Sequence, residues 1–348
     1  MRRVCLEDLV SLSIEVLCSL GLSREDSIEV ADTIRYANGH GVPTHGAGRL
    51  PLYARNIENG SIDPHARPEI VMDEAGLGVI DGRNALGQIV AKASMDLALE
   101  KVKSHGVALV VARNSNNFGT AGYYGAKAAA EGCGAIIMAN ASPAMAPSGG
   151  KVPLLGTNPI CMAMPGANGI PPVVLDMATT VVARTRIRSA AKEGRPIPSE
   201  WALDKDGQPT TNPNDALEGS LRSVGDYKGY GLALFVDMFA GILSRGSFAG
   251  EVLPLSDCGA PSSNCHFFLL FDVYRFVDAE DYPSMLKKIV DAVKESGASA
   301  RMPGERGFLA AEQSSGKGGT VELGDKQFTE INELAISLGI VPISEVEC

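Results

Sequence analysis

The sequence predicts an α/β protein in which an α/β domain is inserted into a helical one. In the N-terminal part, apolar residues recur at helical spacing. Short β-rich runs then alternate with helical stretches, and further segments with helical spacing follow. Strands that alternate with helices are typical of α/β domains. The helical domain is predicted in two parts, 1–75 and 181–248, and a C-terminal helix within 320–348 joins it. The α/β domain is predicted in two parts as well, 76–180 and 249–319.

The N-terminal helices are predicted from apolar spacing and from the signals at their ends. Apolar residues recur three to four positions apart over 9–20, and Gly21 follows as a stop. Ser23 opens a second helix, with Asp26 three residues later as its capping partner. A third helix is expected over 50–59, directly before a glycine.

The rest of the chain reads as short strands and longer helices. A segment rich in turn residues, 204–213, separates two of the later helices. The predicted strands are 77–80, 107–111, 135–138, 160–164, 172–175 and 266–273. The predicted helices are 88–103, 121–131, 181–193, 230–243, 283–295 and 325–338.

Composition excludes several classes of protein. The 348 residues are 45% hydrophobic, as in ordinary globular proteins, and the formal net charge of −10 argues against a nucleic-acid binder. No run of about 18 apolar residues occurs, so we expect no membrane span. Acidic residues interrupt the apolar stretch after Arg2-Arg3, which argues against a signal peptide. We therefore predict a cytoplasmic protein.

The seven cysteines show no C-x-x-C spacing, so they predict free thiols in a reducing compartment. No cluster of cysteine, histidine and carboxylate residues has the spacing of metal ligands, so we expect no metal site. The chain also lacks G-x-G-x-x-G, G-x-x-x-x-G-K-[ST] and H-E-x-x-H. A standard Rossmann phosphate loop is therefore not predicted.

Two blocks stand out, one for side chains that can recognise a carboxylate and one for its position in a loop. The first contains Thr44, His45 and Arg49, with Tyr53 four residues later. A guanidinium group matches a carboxylate bidentately, and the imidazole and hydroxyl groups add hydrogen-bond partners. The second block places Asn117 in a polar, glycine-bearing loop directly after a predicted strand, where chemistry is common.

Four further blocks combine prolines and glycines, which present backbone groups at fixed geometry, with a helix start that favours a phosphate and with a lysine. In the third of them, Lys228 supplies a cation. Either Thr179 or Thr180 is placed to cap the helix predicted from residue 181. The blocks are 140–159 with Ala141 and Ser142, 175–180 with Asp176, Met177 and Ala178, 225–231 with Lys228, and 302–305 with Pro303, Gly304 and Glu305.

Taken in order, these six blocks resemble the type-2 malate/L-lactate dehydrogenase family of nicotinamide-dependent oxidoreductases. The resemblance implies a nicotinamide-binding fold without the Rossmann fingerprint, NAD or NADP as cofactor, and a homodimer with active sites near the subunit interface. It implies a small carboxylate substrate, either a 2-oxo or 2-hydroxy acid or a cyclic imino acid. It also implies that Thr44, His45, Arg49, Tyr53 and Asn117 contact substrate, whereas the residues named in the four further blocks contact the cofactor.

At Asn117 the chain departs from the family, whose members carry a histidine there that moves the substrate's proton. An amide cannot titrate. Four explanations stay open: the substrate is an imine that brings its own proton; His45, with Tyr53 behind it, replaces the acid; the chain binds ligand or acts without redox chemistry; or the site tolerates the change. The choice between NADH and NADPH is also open, because three arginines at positions 184, 186 and 188 fit either a 2′-phosphate or a solvated helix face.

Overall fold

The computed structural model describes residues 1–255, 259–315 and 318–346 and confirms the predicted α/β class. The α-helices of these ranges are α1 Leu6–Ser19, α2 Arg24–Gly39, α3 Leu50–Glu58, α4 Gly87–His105, α5 Ala121–Ala130, α6 Arg184–Lys192, α7 Pro213–Glu218, α8 Tyr227–Asp237, α9 Tyr282–Glu295, α10 Glu305–Ser314 and α11 Asp325–Ser337. The strands are β1 Arg2–Cys5, β2 Glu69–Glu74, β3 Leu77–Asp81, β4 Val107–Ser115, β5 Cys133–Ala139, β6 Ile160–Met164, β7 Val173–Met177, β8 Ala202–Leu203, β9 Ser220–Leu221, β10 Asn264–Asp272 and β11 Thr320–Leu323.

Seven strands form one mixed sheet in the order β2-β3-β4-β10-β5-β6-β7. Only the β3–β4 pair is parallel among these neighbours. The late strand β10 lies between β4 and β5, and His266 pairs with Ala112 on one side and Ala139 on the other. Through this pairing, the start of β10 lies beside the loops that follow β4 and β5.

The sheet is covered by helices on both faces, because both faces carry apolar side chains. Helices α4 and α5 pack on one face around Tyr124 and Phe268, which are fully buried. The segment Met238–Ile242, which continues α8 as a π-helix, packs Ala240 against Phe267 on the other face. These layers leave the ends of β4, β5 and β7 to shape a cavity.

A separate core joins the two ends of the chain. Helices α1, α2, α3 and α11 bury one apolar cluster that includes Leu9, Leu50 and Ile331. Strands β1 and β11 pair antiparallel next to it, with Val4 opposite Val321. Ser23 caps α2 through the backbone N–H of Asp26, as predicted. The division of the chain into a helical and an α/β domain stays a prediction.

Two local predictions were wrong. Residues 69–74 form the edge strand β2, which was not predicted. Most of its residues are exposed and several are charged, so the segment lacks the alternation of apolar and polar residues that indicates a strand. Helix α6 begins only at Arg184, so neither threonine caps it: the hydroxyls of Thr179 and Thr180 donate instead to the carbonyls of Thr157 and Val182.

No helix in the described ranges is long and apolar enough to cross a membrane. Five cysteines are free thiols there, namely Cys5, Cys18, Cys133, Cys161 and Cys265. Cys258 and Cys348 lie outside the described residues.

Candidate active site

A cavity of about 280 Å³ lies at the ends of β4, β5 and β7, beneath the turn that follows α2. It brings together residues from four of the six sequence blocks, which are far apart along the chain. The predicted site residues in its wall are Thr44, His45, Asn117, Ala141, Asp176, Met177 and Ala178. Convergence of polar groups on one concave site is the usual sign of a binding or catalytic centre.

Asn117 presents an amide donor to this cavity. Its Oδ1 accepts a hydrogen bond from the backbone N–H of Gly119 over 3.2 Å. Gly119 has a φ of 85°, a conformation that favours glycine, and this lets the chain turn back toward the amide oxygen. With its oxygen bound in the loop, the side chain retains its NH2 group for a ligand.

His45 ends a short 3-10 turn, Pro43–His45, and lies at the cavity wall. Burial lowers the pKa of its imidazole to about 3, and the nearby Arg49 guanidinium adds to this effect. The ring is therefore neutral at pH 7. Its buried Nδ1 has no hydrogen-bond partner within the described part of the chain.

Asp176 lies at the end of β7 and is tied to the start of α5. It accepts hydrogen bonds from the Thr120 hydroxyl over 2.6 Å and from the Gly122 N–H over 2.7 Å. The surrounding walls desolvate this carboxyl and raise its pKa, whereas the two hydrogen bonds lower it. The residue still exposes surface to the groove, where a ligand can reach it.

A second cavity, of about 270 Å³, adjoins the first and shares Val42, Thr120 and Asp176 with it. Its wall includes Pro303 and Gly304 from the segment before α10. Gly304 has a φ of 82°, and a Cβ atom there would lie 2.7 Å from the carbonyl oxygen of Val174. The close approach of this segment to β7 therefore requires glycine, and it shapes an extended groove made of two compartments.

Arg49 and Tyr53 do not reach the cavity wall. The Nε of Arg49 donates to the carbonyl of Thr44 over 2.7 Å, which leaves its terminal NH2 groups available. Tyr53 is buried, and its hydroxyl accepts a hydrogen bond from Gln88 over 2.8 Å. Arg49 is thus bonded to the wall residue Thr44, whereas Tyr53 lies in the core.

Three predicted cofactor residues also lie outside the two cavities. Ser142 follows the wall residue Ala141 but does not line the cavity. Glu305 binds Lys294 and accepts from the backbone N–H of Met302 over 2.8 Å. Lys228 is exposed at the start of α8 and forms no ion pair with any described residue.

The arginines considered for a 2′-phosphate do not line either cavity. Arg184 donates to the carbonyls of Pro143 and Leu217, which fixes it in a structural role. Arg186 and Arg188 are exposed on α6. The described arginines in the wall of the second cavity are Arg301 and Arg306.

Sequence reasoning missed two cavity residues on β10, Asn264 and His266. They were not predicted as site residues, because only the pairing of β10 with β4 and β5 brings them to the cavity. The one available signal was a polar Asn-Cys-His start on an otherwise apolar strand. Asn264 donates to the carbonyl of Asn140 over 2.8 Å, and His266 is fully buried.

Buried polar atoms without protein partners gather around the first cavity. In the described part of the chain, such atoms occur on three of its wall residues, namely His45 Nδ1, Asn116 Oδ1 and His266 Nδ1. Most buried polar groups in proteins are hydrogen-bonded, so exceptions need an explanation. A polar ligand or water in the cavity would supply the missing partners.

The fold and site have counterparts among known proteins. A sequence model of the malate/L-lactate dehydrogenase family matches residues 4–332. A malate dehydrogenase of Pyrococcus horikoshii is 36% identical, with 97% of this chain and 96% of that protein covered. A Δ1-pyrroline-2-carboxylate reductase of Burkholderia multivorans is 32% identical, with 90% and 92% covered. The structure of a sulfolactate dehydrogenase from Methanocaldococcus jannaschii matches with a TM-score of 0.90 at 34% identity, over 97% of this chain and 98% of that one.

The match of both sequence and fold to these dehydrogenases and reductases makes the chain a nicotinamide-dependent oxidoreductase. The chain belongs to the malate/L-lactate dehydrogenase family, whose model covers nearly its whole length. It is an NAD(P)-dependent enzyme.

Proposed function

We propose that this enzyme transfers hydride to or from the carbon beside a carboxylate in a small 2-oxo or 2-hydroxy acid. The observation that carries the proposal is the single cavity that joins Thr44, His45 and Asn117 to the segment 176–178. In this proposal, the donors for the substrate and the backbone that faces the cofactor lie in the wall of the same cavity. The names of related malate and sulfolactate dehydrogenases agree with a small carboxylate substrate.

The groove suits a dinucleotide because its two compartments share a wall. The nicotinamide end belongs in the first cavity, against Ala141, Met177 and Ala178, because the substrate groups lie there. The remainder extends past Asp176 toward Pro303 and Gly304. When bound, the cofactor supplies or accepts the hydride. Lys228 and Ser142 would contact it only if their side chains turn toward the groove, and Glu305 would contribute through its helix start.

In this proposal Arg49 binds the substrate carboxylate. Its terminal NH2 groups remain available after Nε is bound to Thr44, and a fork of two donors matches a carboxylate. His45 donates a hydrogen bond as a neutral ring, since burial holds its pKa at about 3. A neutral imidazole at pH 7 argues against His45 as the replacement acid.

Asn117 in turn orients the reacting oxygen or nitrogen through its NH2 group, because its Oδ1 is bound to Gly119. A donor of this kind stabilises negative charge that develops on oxygen as hydride arrives. It cannot deliver the proton itself.

A second candidate function is imine reduction. A protonated iminium carries its own proton, so hydride transfer gives the neutral amine without an enzymatic acid. Asn117 cannot titrate, and burial keeps both histidines of the cavity wall neutral at pH 7. The similarity to a pyrroline-carboxylate reductase supports this candidate.

The test is NAD(P)H consumption, followed by absorbance, with a panel of monocarboxylic 2-oxo acids, dicarboxylic 2-oxo acids and five- and six-membered cyclic imino acids. Turnover of oxo acids supports the first function, and turnover confined to imino acids supports the second. Cofactor binding without any turnover would count against both and indicate either a substrate outside the panel or a non-redox ligand-binding role.

We further propose that the enzyme is a cytoplasmic homodimer. Large exposed apolar side chains gather three to four residues apart on α8 and the π-helical segment. Contiguous exposed apolar patches mark association surfaces. These side chains are Leu232, Phe235, Met238 and Ile242. Light scattering of the purified protein should give twice the chain mass, and Phe235→Lys should shift it toward the monomer.

A further inference from the structure

The ring of His266 contacts both chain neighbours of Asn117. Its Nε2 lies 3.2 Å from the carbonyl oxygen of Asn116. The same ring stacks on Phe118, with 4.6 Å between ring centroids and an interplanar angle of 29°. One buried side chain of β10 therefore holds the loop immediately before and immediately after Asn117.

The hydrogen bond to Asn116 fixes the tautomer of His266. A carbonyl oxygen only accepts, so Nε2 carries the hydrogen and donates it. The other ring nitrogen, Nδ1, holds a lone pair and has no partner in the described part of the chain. Since the ring is fully buried, its neutral form is favoured and this single donor is retained.

The opposite side of the loop is held by the segment before α4. The Nδ2 of Asn116 donates to the carbonyl of Ala85 over 2.8 Å and to Oδ1 of Asn84 over 3.1 Å. A Cβ atom at Gly87 would lie 2.2 Å from the carbonyl oxygen of Asn116, so the backbones touch there. Asn116 is buried by these contacts, whereas Asn117 keeps part of its surface open toward the cavity.

We propose that His266 is a positioning residue that sets the direction of the Asn117 amide toward the reacting atom. The inference rests on the proposed function, in which that amide donates to the substrate. Loss of the Nε2–H donor would free the carbonyl of Asn116 and let the loop shift. A displacement of about 1 Å at a reacting group can lower a rate by roughly 10²-fold.

The test measures two variants of His266 and a double-mutant cycle between His266 and Asn117. His266→Phe keeps a ring for Phe118 but removes the donor, and we expect kcat to fall by roughly 10- to 100-fold with little change in cofactor affinity. His266→Gln keeps a donor for Asn116 and should retain more of the activity than His266→Phe. In an Asn117→Ala background the effect of His266→Phe should largely disappear, because residues that act through each other are not additive.

His105→Phe is the matched control. His105 also places a ring nitrogen near a backbone carbonyl, that of Lys101 at 3.2 Å, but it is exposed at the end of α4, away from the cavity. Its kcat should equal that of the wild type. Equal losses from His266→Phe with and without Asn117→Ala would mean that His266 is only structural, and the inference would be wrong.

A binding measurement separates failure of the proposed function from failure of the inference about His266. If the wild type turns over no substrate, the same cycle is measured on the affinity of oxamate, an unreactive amide analogue of a 2-oxo acid, for the enzyme with NADH or NADPH. Non-additive losses of affinity support the inference, and additive losses overturn it. Failure of the wild type to bind both nucleotide and oxamate would overturn the proposed function and this inference with it.

Discussion

Thr120 donates its hydroxyl hydrogen to Asp176 over 2.6 Å, at the point where the two compartments of the groove meet. This bond ties the start of α5 to the end of β7. It also favours the charged form of Asp176, against the desolvation that raises the pKa of this carboxyl. The junction of the two compartments is thus held by a side-chain contact and not by sheet pairing.

Thr120→Val should therefore weaken cofactor binding. The variant keeps the shape of the side chain but leaves one carboxylate oxygen without its hydroxyl donor, a loss of about 1 kcal/mol or roughly fivefold in Kd. Quenching of NAD(P)H fluorescence measures the effect. Thr185→Val is the control: the buried Thr185 hydroxyl has no partner among the described residues, so its removal should leave Kd unchanged. Equal effects of the two variants would contradict the assigned role.

Asn117→His should create or raise activity with 2-oxo acids. A titratable group at this position can deliver the proton that the amide cannot, and such catalysis contributes roughly 10²–10⁴-fold. Turnover of cyclic imino acids should change far less, since the iminium brings its proton. The kcat values of the variant and the wild type on one substrate of each kind measure this difference. An equal change on both substrates would show that proton delivery is not what Asn117 lacks.

His266 should make the folded protein less stable in acid. Its pKa is about 4 in the folded state and 6.5 when exposed, so the unfolded chain binds the extra proton. The contribution of the neutral ring to the free energy of unfolding is complete above pH 6.5 and is lost as the pH falls through about 4. This contribution is on the order of 3 kcal/mol. Urea unfolding between pH 7 and 4 measures it. His266→Phe should reduce this acid-dependent loss, and an unchanged slope would mean that His266 is not neutral in the fold.

Gly304→Ala should weaken both the fold and the cofactor site. A side chain there meets the carbonyl of Val174 at 2.7 Å in a left-handed backbone conformation, which costs roughly 1–3 kcal/mol. The free energy of unfolding and the Kd for NAD(P)H should both respond. Gly297→Ala is the matched control, because no atom lies within 4 Å of a Cβ built there. A harmless Gly304→Ala would mean that the segment before α10 tolerates a shift away from β7.

The sequence was sufficient to predict the α/β class and most helices, because these depend on local periodicity. It also placed Thr44, His45, Asn117 and the segment around Asp176, which the structure brings to one cavity. It did not predict His266, since no local pattern indicates which strands become neighbours. The pairing of β1 with β11 was missed for the same reason.

Arg49 and Lys228 show a second limit of sequence reasoning. Their motifs predict contact with substrate and cofactor, but the direction of a long, flexible side chain depends on its surroundings. Arg49 is bound to the Thr44 carbonyl, and Lys228 is exposed at its helix start. Their roles stay predictions until ligands are bound.

The position of β10 has a consequence for biosynthesis. Strands β2 to β7 all precede β10 in the chain, and the facing edges of β4 and β5 have no partner until β10 is made, because these two strands pair with β10 and not with each other. Long-range pairing of this kind slows folding, and open edges invite aggregation. A nascent chain that stops short of β10 would lack both the strand that joins the two halves of the sheet and two residues of the cavity wall, so synthesis must pass residue 272 before the enzyme can mature.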